Sequence, residues 1–153
     1  MSEGAKIKQQ IFRKLQQLTD QRIETARIAI HSVKESRDNE TKSSAGDKHE
    51  TGRAMMQLEM ERNNVQLTTA LELKNEIDKI NIDKECHKVE YGSLVFTNQE
   101  NYFLSVGLGK IEIKEDIFYA VSPGSPIGKI LKDKKIGNTF TFLEKEIEIL
   151  NIL

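Results

Sequence analysis

An α+β fold is predicted, with a long N-terminal antiparallel helical hairpin packed as a coiled coil and a small unit of strands and one short helix after it. Three observations carry this reading. The stretch from Met1 to Ile82 holds no proline and only Gly4, Gly46 and Gly52, while Gln, Glu, Lys, Arg and Ala are plentiful, which is helix composition. From Tyr91 on, both prolines, six of the nine glycines and every aromatic except Phe12 fall in short runs alternating apolar with polar residues, which is strand composition. The whole chain is 153 residues, room for one compact unit or two small ones and too short for a large multidomain enzyme.

In the first half, Ile7, Ile11, Leu15 and Leu18 recur at steps of three and four, as do Leu73, Ile77 and Ile80. Each set makes one narrow apolar stripe on a helix, and a stripe needs a partner. Two helices folded back on each other pair residues whose numbers add to a constant. With a constant of about 88, Ile11 meets Ile77, Leu15 meets Leu73, Leu18 meets Ala70, Ile23 meets Val65, Ile30 meets Leu58 and Val33 meets Met55. The turn then falls near Ser44, inside the polar stretch SRDNETKSSAGDKHETG. The arms are expected over Lys6–Asp38 and Asp47–Ile82, each on the order of 50 Å long at about 1.5 Å per residue.

The second half, after the connector DKECHKVE, yields GSLVFT, NYFLSV and IFYAV as strands, SPIGKILK as a short helix, and NTFTFL and EIEILNI as closing strands. Ser125 is a natural N-cap and Pro126 a natural first helical residue. Ile127, Ile130 and Leu131 are expected to face the sheet, and Phe140 with Phe142, and Ile147 with Ile149, mark strands with one buried side. The domain division is 1–82 for the hairpin with its acidic tip and 83–153 for the mixed unit.

A net charge of −1 provides no overall attraction to nucleic acid or an anionic membrane. The single cysteine, Cys86, excludes an internal disulfide and a cysteine-built zinc site, in keeping with a reducing compartment. MSEGAKIKQQ has no apolar signal segment, and the longest apolar run, Ile117–Val121, is far too short for a membrane span, so a soluble, cytoplasmic protein is expected.

Chemistry concentrates at the hairpin tip, GDKHET, where Asp47 and Glu50 sit three residues apart on one side of the first turn of the second helix. An acidic cap with Glu three residues on is a common way to begin a helix. The same carboxylates at the end of a long arm are also oxygen donors of the kind Mg²⁺ takes, too few to close a site and well placed to complete one belonging to a partner.

Two segments, GDKHE at the tip and SPGSPIGKILKDKKIGNTF in the second half, resemble the Gly-Asp-x-x-Glu tip and the Ser-Pro-Ile helix of the Gre family of bacterial transcript-cleavage factors. The order of parts is similar over nearly the whole chain. The resemblance implies an FK506-binding-protein-like second domain. It implies that Asp47 and Glu50 enter the secondary channel of RNA polymerase, where they help hold the second Mg²⁺ and the attacking water. Ser125, Pro126 and Ile127 would dock on the channel rim. On this reading the chain is not itself an enzyme: it stimulates the polymerase's cleavage of backtracked nascent RNA, meeting the RNA 3′ end transiently and DNA only within the elongation complex. Mg²⁺ is shared with the polymerase and not held by the chain alone.

Where the family continues after the tip with Asn, a small residue, Glu and Tyr, this chain has Thr51, Gly52, Arg53 and Ala54, although Glu59 again matches a family acid. A non-cleaving occupant of the same channel is therefore the alternative, and a prolyl isomerase is a weaker one, resting on domain shape alone. The segment GLGKIEIKED is shorter than the family's usual connection. His49 reads as a solvated tip residue, and adjacent Cys86 and His87 have neither metal-ligand nor nucleophile–base spacing. Eight basic residues between Lys6 and Arg37 read mainly as a solvated helix face.

Overall fold

The computed structural model describes the backbone of residues 2–42 and 46–153 and the side chains of residues 2–39 and 51–153. Helix α1 spans Glu3–Lys42 and helix α2 spans Gly46–Asp78. Ser2 starts α1, its hydroxyl accepting the Ala5 N–H at 3.1 Å. The polar stretch expected to interrupt the helix does so less than anticipated, since α1 runs on through Ser36 to Lys42. The second arm ends at Asp78, short of Ile82. The turn expected at Ser44 lies outside the described residues.

The chain forms two compact units. One, Gln17–Lys74, is the distal length of both helices. Its seam buries Thr19, Ile23, Ala26 and Val33 of α1 and Met60, Asn63 and Ala70 of α2. Asp20 and Lys74 pair across it at 3.1 Å. The expected partners of Ile23, Ile30 and Val33 are corrected here, because Val65, Leu58 and Met55 are 65%, 63% and 67% exposed. Helix α2 carries apolar residues on more than one side, and the row of Met60, Asn63 and Ala70, with half-buried Met56 and Leu67, is the one turned inward. Among the described residues the buried Asn63 side-chain nitrogen has no hydrogen-bond partner, a cost to stability of the kind that fixes helix register in coiled coils.

The other unit comprises Met1–Gln16 and Asn75–Leu153, so the helix bases belong with the sheet. Strands β1 (Leu94–Thr97), β2 (Tyr102–Leu104), β3 (Gly109–Ile113), β4 (Asp116–Val121), β5 (Thr139–Phe142) and β6 (Lys145–Ile152) form one sheet of order β3-β4-β2-β1-β6-β5. All neighbours are antiparallel except β2 and β4, which run parallel with Tyr102 opposite Tyr119. Strand β3 was not expected: it occupies the segment read as a connection, pairing Ile111 with Phe118. At the centre, Leu94 and Leu153 exchange backbone hydrogen bonds of 2.9 and 2.8 Å.

Both faces of the sheet are covered. On one, Val95, Tyr102, Leu104 and Ile149 pack with Ile127 and Leu131 of α3 (Pro126–Leu131) and with Cys86 and Val89, flanked by Phe140 and Phe142. The alternate residues Leu94, Phe103, Ile111 and Phe118 are fully buried on the other, with Phe96 meeting Phe118 edge-on at 6.3 Å. The helix bases contribute buried Ile11, Leu15, Ile77 and Ile80. The Tyr91 hydroxyl donates to the Glu76 carbonyl at 2.6 Å, and burial first, then the Glu76 charge, pushes its pKa up to about 12.

The β5–β6 hairpin turns through Leu143 and Glu144, at φ of 51° and 66°. Side chains with a Cβ are disfavoured in this left-handed region, which Asn and Gly adopt readily. Leu143→Asn with Glu144→Gly is expected to raise stability by about 1 kcal/mol, read as a higher urea midpoint with unchanged slope.

Candidate functional site

The Ser125 segment is built by its own hydrogen bonds. Ser125 takes an extended backbone (φ −70°, ψ 159°), and its Oγ accepts the Gly128 N–H at 3.1 Å while donating to the Ser122 carbonyl at 2.7 Å. The Ser125 N–H donates to that same carbonyl at 3.1 Å. Pro126, which has no N–H to satisfy, then opens α3 as expected. Gly128 is required by space: a Cβ there would stand 2.0 Å from the Ser122 carbonyl oxygen and 2.9 Å from Ser125 Oγ. Ile127 and Leu131 are buried against the sheet and Ile130 is half-buried, so of the three docking residues expected from the sequence only Pro126 is exposed. The segment is a stiff knob, its proline outward and its isoleucine serving as an anchor.

Asp47, His49 and Glu50 fall at the start of α2, and their side chains lie outside the described residues. Following them, Gly52 is half-buried while Thr51, Arg53, Ala54 and Glu59 are exposed. Among the described residues no three His, Cys, Asp or Glu side chains gather as a metal group would need, and no helix is long and apolar enough to cross a membrane.

Cys86 and His87 part company: the thiol is buried and the imidazole exposed. Burial pushes the Cys86 pKa up, against the opposing pull of Lys8. Beside them the sequence reading missed a residue. Lys8, counted among the solvated bases, is only 3% exposed, and its Nζ donates to the Lys84 carbonyl at 3.4 Å. Desolvation lowers its pKa, opposed by Cys86, Glu90 and Asp83. The signal was available, since Lys8 precedes Ile11 by three and Leu15 by seven and so stands on the buried stripe. Lys84 pairs outward with Glu90 at 2.9 Å, which raises the lysine's pKa and lowers the carboxylate's.

Compared with known proteins, the chain matches no family model, no curated protein and no solved structure.

Proposed function

We propose that this protein is a Gre-like elongation factor, which inserts its helical hairpin into the secondary channel of RNA polymerase and stimulates cleavage of backtracked nascent RNA. The observation that carries the reading is the conjunction of two parts: two helices of 40 and 33 residues, the second opening with GDKHE, and a self-capped Ser-Pro-Ile knob on a sheet unit. On this proposal the sheet with α3 against one face is the FK506-binding-protein-like docking domain, and the protein works in the cytoplasm without being the enzyme itself.

Asp47 and Glu50 offer carboxylate oxygens, the donor chemistry Mg²⁺ takes, but fewer than its six ligands, so the remainder belong to the polymerase and the RNA. The bound ion supplies charge stabilisation at the phosphodiester and a more acidic water. The chain's own part is to bring two carboxylates to the scissile phosphate, orient the water and accept its hydrogen bonds. Helix length sets the reach, on the order of 50 Å for the shorter arm.

Adding the purified protein to stalled, backtracked elongation complexes is expected to yield shortened transcripts on a gel within minutes. Unchanged RNA lengths with altered initiation would favour the non-cleaving regulator, the reading that Thr51–Ala54 motivate by departing from the family pattern. Docking has its own test. Pro126→Arg should weaken polymerase binding about 10-fold, a loss near 1.4 kcal/mol, with circular dichroism unchanged because the ring is solvent-facing. Binding equal to wild type would reduce the segment to a helix cap.

A further inference from the structure

We infer that the sheet-bearing unit has a second site, a cavity of about 570 Å³ that binds a small organic oxyanion, its head on the Lys8 ammonium and its body on an apolar wall. The cavity lies between the start of α1, the connector at 82–87 and the ends of the sheet, with Ala5, Ile82, Ile136 and Ile152 supplying the wall. All of these residues belong to one compact unit.

The carrying observation is an uncompensated charge. An ammonium has three N–H donors, and that of Lys8, buried to 3% exposure, spends one on a carbonyl at the long distance of 3.4 Å. Among the described residues no carboxylate stands within ion-pair distance of it. Glu90, which with Cys86 and Asp83 opposes the lowering of the Lys8 pKa, is occupied by Lys84. Removing a cation from water without a counter-charge is costly, and chains rarely retain such a residue on a helix stripe where an apolar side chain would fit. An incoming anion supplies the missing partner. Lys135 also lines the cavity and Lys84 is already held by Glu90, while Asp83 and Glu85 balance the remaining fixed charge, so selection of an anion rests on the Lys8 ammonium itself. The apolar wall favours a ligand with a hydrocarbon body over inorganic phosphate or sulfate.

The test uses the whole protein and four probes: hexanoate, hexyl phosphate, hexanol and hexylammonium. At about 100 times its Kd, hexanoate or hexyl phosphate is expected to raise the melting temperature by roughly 5 °C, and whichever does so identifies the head group as carboxylate or phosphate. Hexanol and hexylammonium should leave it unchanged. Methyl resonances of Ala5, Ile136 and Ile152 should shift with the anion while those of exposed Val65 do not, a readout that needs no variant. Lys8→Met, which replaces the charge by an apolar chain of similar length, should abolish the anion's effect. Absence of any shift with both anions, an equal shift with hexanol, an undiminished shift in Lys8→Met, or methyl changes confined elsewhere would each overturn the site. None of these outcomes depends on polymerase, so the proposed elongation role stands or falls separately.

Discussion

Asp47→Asn combined with Glu50→Gln is expected to cut stimulated transcript cleavage by about 10-fold or more while leaving the fold and polymerase binding intact. Helix α2 begins at Gly46, so Asp47 is its second residue and Glu50 its fifth. An amide at either position costs the helix only its favourable interaction with the positive end of the dipole, a few tenths of a kcal/mol at an exposed site. Affinity of a carboxylate for Mg²⁺ depends on its charge, and an amide oxygen retains little of it. Two predictions thus separate: thermal stability barely moves, and the rate of RNA shortening falls steeply. Higher Mg²⁺ should partly restore the single Asn variant by mass action. Cleavage by the double variant at the wild-type rate would make the two acids simple helix-starting residues and overturn their role in holding Mg²⁺.

The second large effect is on stability. Gly128→Ala should cost about 3 kcal/mol or more, because the added methyl would stand 2.0 Å from the Ser122 carbonyl oxygen, a backbone atom that cannot step aside. Relief requires the Ser122–Ser125 turn to open. That breaks the hydrogen bonds from Ser125 Oγ to Ser122 and from Gly128 to Ser125 Oγ, and it withdraws Ile127 and Leu131 from the core. For a chain of this size the melting temperature should fall by roughly 6 °C or more. Gly124→Ala is the matched control: nothing lies within 4 Å of a Cβ there, and its stability should stay within about 0.5 kcal/mol of wild type. Equal losses at the two glycines would show that backbone freedom, not the close approach at Gly128, governs the turn.

The α+β order, both long helices and the capped α3 were legible because each rests on one dominant local signal. Ser125 followed by Pro126 admits few other readings, and proline-free sequence with spaced apolar residues does not sit well as strand. The facing of α2 was misread for the opposite reason. Met55, Leu58 and Val65 have helical spacing, as do Met56, Met60 and Leu67, and hydrophobicity alone does not choose between rows. The inward row includes Asn63, and the matching row of α1 includes Thr19, two polar residues that a search for apolar stripes passes over. Strand β3 was missed because Lys110, Glu112 and Lys114 make its segment look like a charged loop, although Ile111 and Ile113 keep the alternation of an edge strand. Burial of Lys8 went unread since a charged residue on an otherwise apolar stripe was taken for its commoner solvated state.

The exchange of hydrogen bonds between Leu94 and Leu153 has a consequence for the order in which a nascent chain folds. Strand β1 pairs on one side with β6, whose register sets Val95 opposite Ile152, and those partners leave the ribosome 57 residues apart. The distal hairpin, Gln17–Lys74, is made long before then and needs only its own two helices to bury its seam. The sheet cannot close until Lys145–Ile152 has emerged, and until that moment β1 offers an open edge on which a neighbouring nascent chain can dock in place of the proper strand. Synthesis thus delivers a formed arm attached to a waiting sheet, and the slow, aggregation-exposed step of folding falls on the half of the protein with the most nonlocal pairing.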